Sequence, residues 1–380
     1  MDTTVTPPEV DPPEPDEEQD DLDEMPRVHV TRKGVVITVF FVVSAIAFLY
    51  FVLPHLADLE DTGRRVGEGD RTWLAGALAF SILSFGGYVM MFQGVFVRVG
   101  SDARSRIDWR ASYQITMAGL AATRLLAAGG AGGIALTAWA LRRAGMDRRT
   151  VADKTLAFLI LTYAVYMGAL VVGGFGLYLG VLPGPSPFAI TVIPAVFGLV
   201  AIVLGLALAR VPPDLQRRLE GFATRGGRLA RIAQIGANAP AAFSAGMREA
   251  LCHVRERDPA LLGAIAYWGF NIAVLWASFH AFGDPPPWPV IVMGYYVGFL
   301  GNLLPLPGGI GGVDGGMIGA FAAFGVPLAL AVPAVLAYRV FAFWLPTIPG
   351  AIAYFQLRRT VARWRDERGA RADLAAPAGA

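Results

Sequence analysis

LLPLPGGIGGVDGGMIG, residues Leu303–Gly319, lies inside an apolar segment yet contains two prolines, seven glycines and a lone acid, Asp314. Proline has no backbone N–H and glycine favours turns, so a helix entering a bilayer here breaks. Irregular backbone is tolerated at membrane depth only inside protein or beside a watery cavity, which makes the break a candidate binding site. A weaker echo, TRLLAAGGAGGIAL, occupies Thr123–Leu136. Gly129, Gly130, Gly132 and Gly133 align with Gly308, Gly309, Gly311 and Gly312, giving one GGxGG core in each half of the chain. Paired interrupted helices in corresponding halves point to the substrate site of a transporter.

The surrounding composition fits that reading. Of 380 residues, 55% are hydrophobic and 16% charged, too apolar for an ordinary soluble domain. The chain is expected to be an all-α polytopic membrane protein. A single cysteine, Cys252, excludes an internal disulfide and a four-cysteine zinc site, and the four histidines form no HExxH. Neither glycine cluster has the GxGxxG spacing or the GK[ST] ending of a nucleotide loop, so no cofactor or metal is expected.

Charge distribution sets the topology. The first 24 residues hold eleven acids and no base, and residues 1–30 form an acidic, disordered cytoplasmic tail. Crossings are expected at about 35–53, 73–97, 155–180, 188–209, 261–282 and 328–357, each long enough for a hydrocarbon layer about 30 Å thick. Basic residues flank segment 111–140 on both sides, Arg98 to Arg110 before it and Arg142 to Lys154 after it. The positive-inside rule places both flanks in the cytoplasm, so this segment is a re-entrant hairpin with its elbow at GGAGG. Segment 289–324 is a second hairpin, entering from the opposite face.

The result is six full crossings and two broken hairpins in inverted repeats, about 35–180 and 188–357, countable as up to eight spans. Between them, 210–259 carries nine arginines against five acids, as amphipathic helices on the anionic inner leaflet or as a solvated loop. Residues 358–380 form a basic tail whose position after a span argues for membrane orientation and against nucleic acid.

Three formal charges fall inside apolar segments: Arg124, Asp314 and Arg339. Each costs at least about 2.5–3.5 kcal/mol at a helix centre, so each requires a partner or a cavity. Two guanidiniums beside two broken helices suit a phosphate. Asp314 has three roles open to it: helix cap, counterion to an arginine, or proton carrier. Asn302, with Gly129, Gly130, Gly308 and Gly309, completes the candidate substrate-binding set. Asn271, Gln93, Gln114 and His280 are secondary candidates, since polar residues in spans mostly hydrogen-bond between helices. Gly311, Gly315 and Gly319 recur at every fourth residue, the pattern of a close-packing stripe.

LPLPGGIGGVDGG at 304–316, RLLAAGGAGG at 124–133 with the following ALRRAG, and YRVFAFWLPTIPG at 338–350 together resemble the lysylphosphatidylglycerol synthase transmembrane-region family of flippase-like membrane proteins. Asp314 stands where many members carry Glu, and Ala128 where a Pro is frequent. The family resembles the membrane half of the multiple peptide resistance factor, whose lipid-translocating part is fused to a cytoplasmic aminoacyl transferase. The resemblance covers about 35–357 and leaves little chain for that soluble domain, so it implies a flippase-like unit standing alone and not an enzyme.

The expected function is translocation or binding of an anionic lipid by alternating access, in an inner membrane with both termini cytoplasmic. Phosphatidylglycerol, an aminoacylated derivative and a polyprenyl phosphate all fit, and a homo-oligomer is compatible with the sequence. The alternatives are an intramembrane lipid-modifying enzyme using Asp314 as acid or base, for which no nucleophile or second carboxylate is present, and a non-transporting scaffold.

Overall fold

The computed structural model describes residues 69–97, 107–125, 131–210, 243–256, 258–303, 309 and 311–375. The expected first crossing at 35–53, the acidic tail, most of the 210–259 insert and the centres of both elbows lie outside these residues. Within them every regular element is helical: α1 (Arg71–Phe96), α2 (Trp109–Leu125), α3 (Ala131–Arg143), α4 (Arg148–Tyr178), α5 (Phe188–Ala209), α6 (243–255), α7 (Pro259–Phe282), α8 (Trp288–Phe299), α9 (Gly312–Ala323), α10 (Leu328–Arg339) and α11 (Leu345–Ala375). A 3-10 turn, Leu300–Leu303, extends α8, and a π turn, Val340–Trp344, joins α10 to α11.

Among the described residues, five helices are long and apolar enough to cross a membrane: α1, α4, α5, α7 and the continuous rod from Leu328 to Glu367. Two differ from the expected bounds. Asp147 caps α4 by accepting from the Thr150 N–H at 2.9 Å, so this helix starts at Arg148, well before 155. The Thr150 side chain and backbone hydrogen bonds also hold the Asp147 carboxyl below its ordinary range. At the other end, α11 runs on through the basic stretch to Ala375 instead of stopping near Leu357.

Both broken segments are antiparallel helix pairs. In the first, a Cβ built on Gly119 would lie 2.9 Å from the Thr137 hydroxyl, and one on Gly133 would strike Thr123 and the Gly119 carbonyl. In the second, a Cβ on Gly294 would meet Phe321, one on Gly298 would meet Met317, and one on Gly301 would meet Gly312. Glycine at these crossings lets the two half-helices touch backbone to backbone. Each pair ends alike: Gly145 (φ 100°) and Gly325 (φ 81°) close α3 and α9, and each precedes the next helix start by the same offset. The left-handed conformation is open to glycine without a Cβ penalty.

Hairpin and crossing are exchanged between halves. Gly350 in the last crossing packs on Met117 and Ala121 of α2, while Gly173 in α4 packs on Met293 of α8. The first half of each hairpin therefore rests on the crossing that closes the other half of the chain. Two apolar cores result, one around α1, α2, α3 and α11 and one around α7, α8, α9 and α10. Helix α5 stands at the edge, with Ile193, Val200 and Leu204 outward in the manner of a lipid-facing surface.

The glycine stripe is a correction. Gly311, Gly315 and Gly319 have nothing within 4 Å of an added Cβ. The packed face of α9 lies one residue on, where Gly312 meets Gly301 and Gly316 meets Gly298. Spacing alone gives the period of a stripe and not the direction it faces.

Helices α1 and α7 make the most extensive contact among the described helices, and a Cβ on Gly263 would stand 2.5 Å from the Met91 nitrogen and 2.7 Å from the Gly87 carbonyl oxygen. Gly263→Ala is therefore expected to destabilise by about 1–3 kcal/mol through overpacking. Gly269→Ala, on the same helix with open space around it, should be neutral or stabilising by about 0.5–1 kcal/mol. Unfolding of the two variants in detergent checks the difference.

Candidate functional site

The π turn Val340–Trp344 interrupts the last crossing at mid-depth. An i→i+5 ladder loosens the regular pairing of its carbonyls, and in hydrocarbon no water can compensate. Side chains from other helices supply the donors. Ser81 Oγ of α1 donates to the Phe341 carbonyl at 2.7 Å. Arg124 of α2 donates through Nη2 to the Ala342 carbonyl at 2.9 Å and through Nη1 to the Phe343 carbonyl at 2.6 Å. Thr347 Oγ1 lies 3.3 Å from Nη1 and itself donates to the Phe343 carbonyl at 2.7 Å.

Asp314 sits in the first turn of α9, after Gly309 (φ 65°) and Gly311 (φ 82°) have turned the chain at the second elbow. Its two oxygens are divided. Oδ2 accepts the Gly311 N–H at 2.9 Å, and Oδ1 lies 2.5 Å from Nε of Arg339 at the end of α10. The second contact is an ion pair off the axis of an aligned hydrogen bond. The cap and the counterion are thus one residue, and both side chains of the pair are buried.

Phe343 connects the two arginines. The Arg124 guanidinium carbon is 4.9 Å from the Phe343 ring centroid, and that of Arg339 is 4.4 Å from the same centroid. Phe85 adds a second ring at 5.6 Å from Arg124. Such contacts attract cations through the ring quadrupole, most strongly when water is excluded. Tyr338, adjacent to Arg339, donates to the Tyr295 hydroxyl at 3.3 Å. Among the described residues, two cations and one carboxylate therefore share one cluster, with Asp314 and Arg339 buried and Arg124 half-buried.

The cluster brings together Arg124, Asp314 and Arg339. Gly129, Gly130 and Gly308 lie outside the described residues. Gly309 is buried beside the Asn302 side chain, and Asn302 itself is exposed at that elbow. The secondary candidates bond between helices or within one. Asn271 Nδ2 donates to Ser84 Oγ at 2.5 Å, Ser112 donates to Gln93, Thr360 donates to Gln114 Oε1 at 2.8 Å, and His280 contacts its own Trp276 carbonyl at 3.1 Å. Phe343, Thr347 and Ser81 were not legible as site residues, since apolar and hydroxyl side chains in a span carry no mark of their own.

A family model described as "Lysylphosphatidylglycerol synthase TM region" matches residues 35–350. Two proteins of Methanothermobacter thermautotrophicus (strain Delta H), each described as "UPF0104 membrane protein", are similar over shorter stretches. One is 33% identical over 91 residues, covering 24% of this chain and 26% of the relative. The other is 37% identical over 86 residues, covering 22% and 26%. The chain thus spans about a quarter of the length of these curated relatives. The family match takes in both broken hairpins, the π turn and the three charges of the cluster. This multi-pass membrane protein belongs to the lysylphosphatidylglycerol synthase TM-region family.

Proposed function

We propose that the protein binds the phosphate of an anionic lipid between Arg124 and Arg339 and carries it across the inner membrane. The observation that supports this reading is the placement of two guanidiniums on one aromatic ring, with the Asp314 carboxylate against one of them. A phosphate would replace Asp314 at Arg339 and compete with the carbonyls for Arg124, accepting from the paired donors that only arginine offers. Hairpins entering from opposite faces supply two gates, and acyl or prenyl chains remain in lipid. Phosphatidylglycerol, its aminoacylated derivatives and polyprenyl phosphates share the chemistry. In this reading both termini are cytoplasmic, in keeping with the positive-inside rule for the basic flanks. No synthase reaction is assigned, since Asp314 is spent on a cap and an ion pair.

One observation favours a second reading, a structural lock in a non-transporting scaffold: Arg124, Asp314 and Arg339 all have internal partners. Liposomes with headgroup-labelled lipids decide between them. Asp314→Asn/Arg339→Gln removes both charges of the pair and leaves a neutral one. Translocation that falls about tenfold or more in this variant, with unfolding temperature preserved, supports transport. Translocation equal to wild type, or absent from wild type for all three lipid classes, overturns it.

A further inference from the structure

At the other end of α11 lies a second polar feature, away from the arginine cluster. The N-terminus of α2 and the cytoplasmic turns of α11 enclose a recess of about 250 Å³ lined by Asp108, Arg110, Gln114, Thr360, Arg363 and Glu367. Gln114 is 1% exposed. Its Oε1 accepts from Thr360, which Arg363 Nη2 also reaches at 3.2 Å, while its amide nitrogen has no acceptor among the described residues. Arg110 and Glu367 likewise have no partner among the described residues. Asp108 uses Oδ1 to accept the Ala111 N–H at 2.7 Å. Trp364 forms part of the wall and is buried, whereas Trp109, between Asp108 and Arg110 in the chain, is 59% exposed.

The depth is that of lipid headgroups. Leu357 is the last apolar residue before Arg358, and at about 1.5 Å per residue Thr360 and Arg363 stand roughly 5–9 Å beyond it. Headgroup layers add roughly 5–8 Å on each side of the hydrocarbon. An exposed tryptophan at this level is a common interfacial anchor.

We propose that this recess is a binding site for a phosphate ester that carries an ammonium group. Arg110, Arg363 and the Gln114 amide donate to the phosphate, with the first turn of α2 contributing its dipole. Glu367 and the second oxygen of Asp108 accept from the ammonium. Two cations and two carboxylates at one opening match a zwitterion and oppose a plain anion, which distinguishes this site from the arginine cluster. The chemistry is that of an aminophospholipid headgroup or of its water-soluble counterpart.

Titration of the full-length protein in detergent tests the assignment, using short-chain phosphatidylethanolamine, short-chain phosphatidylglycerol and glycerophosphoethanolamine. Phosphatidylethanolamine should bind more tightly than phosphatidylglycerol. Arg110→Gln/Arg363→Gln should weaken it about tenfold or more, and Glu367→Gln should abolish the preference between the two lipids. Asp314→Asn/Arg339→Gln should leave this binding unchanged. Equal affinity for glycerophosphoethanolamine assigns the site to a soluble ester, and binding of the lipid alone assigns it to the inner leaflet. Affinity unchanged in the folded Arg110→Gln/Arg363→Gln protein overturns the proposal. So does no preference between the lipids in wild type, or loss of binding in the Asp314→Asn/Arg339→Gln protein.

Discussion

Asp314→Ala is expected to lower the stability of the detergent-solubilised protein by about 3–5 kcal/mol, the usual cost of removing one partner from a buried ion pair. The side chains of Arg339 and Asp314 are only 9% and 11% exposed, so a guanidinium that has lost this carboxylate has little access to solvent. The variant also frees the Gly311 N–H at the start of α9. Asp314→Asn/Arg339→Gln should recover most of the loss, because a neutral pair needs no desolvation of charge. Asp314→Glu should fall between, keeping the ion but misplacing the oxygen that caps the helix. Thermal unfolding of the four proteins measures the series. An Asp314→Ala protein as stable as wild type would mean that Arg339 reaches water or another anion.

The second large effect is expected at Arg124, and there the informative change is the conservative one. Lysine keeps the charge but concentrates its donors on one nitrogen, whereas the planar fork of Arg124 reaches two successive carbonyls and lies against Phe343. Arg124→Lys should therefore lose about 1.5–3 kcal/mol, roughly one charge-assisted hydrogen bond. Arg124→Ala should lose more, leaving the Ala342 and Phe343 carbonyls short of donors. In both, hydrogen exchange should rise across 340–347 and remain near wild type in α7. A Lys variant with wild-type exchange there would show that charge alone holds the turn.

Much of the architecture was readable from polarity. The glycine and proline breaks fixed where helices stop, because a chain in hydrocarbon can abandon the helix only at protected places. Flanking arginines made the first broken segment a hairpin, the basic end of the chain implied the second, and the three charges inside apolar segments identified the cluster, since each had to find a partner. The partners themselves were less accessible. Phe343 is one of 23 phenylalanines and is distinguished only by its neighbours in space. The Gly311–Gly315–Gly319 repeat suggested the wrong face of α9, because glycine has no side chain whose polarity could say which way it points. The basic run after Leu357 marks the end of the apolar span and not the end of the helix, since arginine is a good helix former and α11 continues through it.

The wide turn at 340–344 also alters angular phase. In uninterrupted α winding, residues eight apart differ by about 80°, and residues seven apart by only about 20°. One residue inserted as a π bulge makes a separation of eight behave as seven. Arg339 and Thr347 are consequently brought onto one side of the rod, one addressing Asp314 and the other Arg124. Helical wheels drawn at constant pitch would set these two residues on different faces.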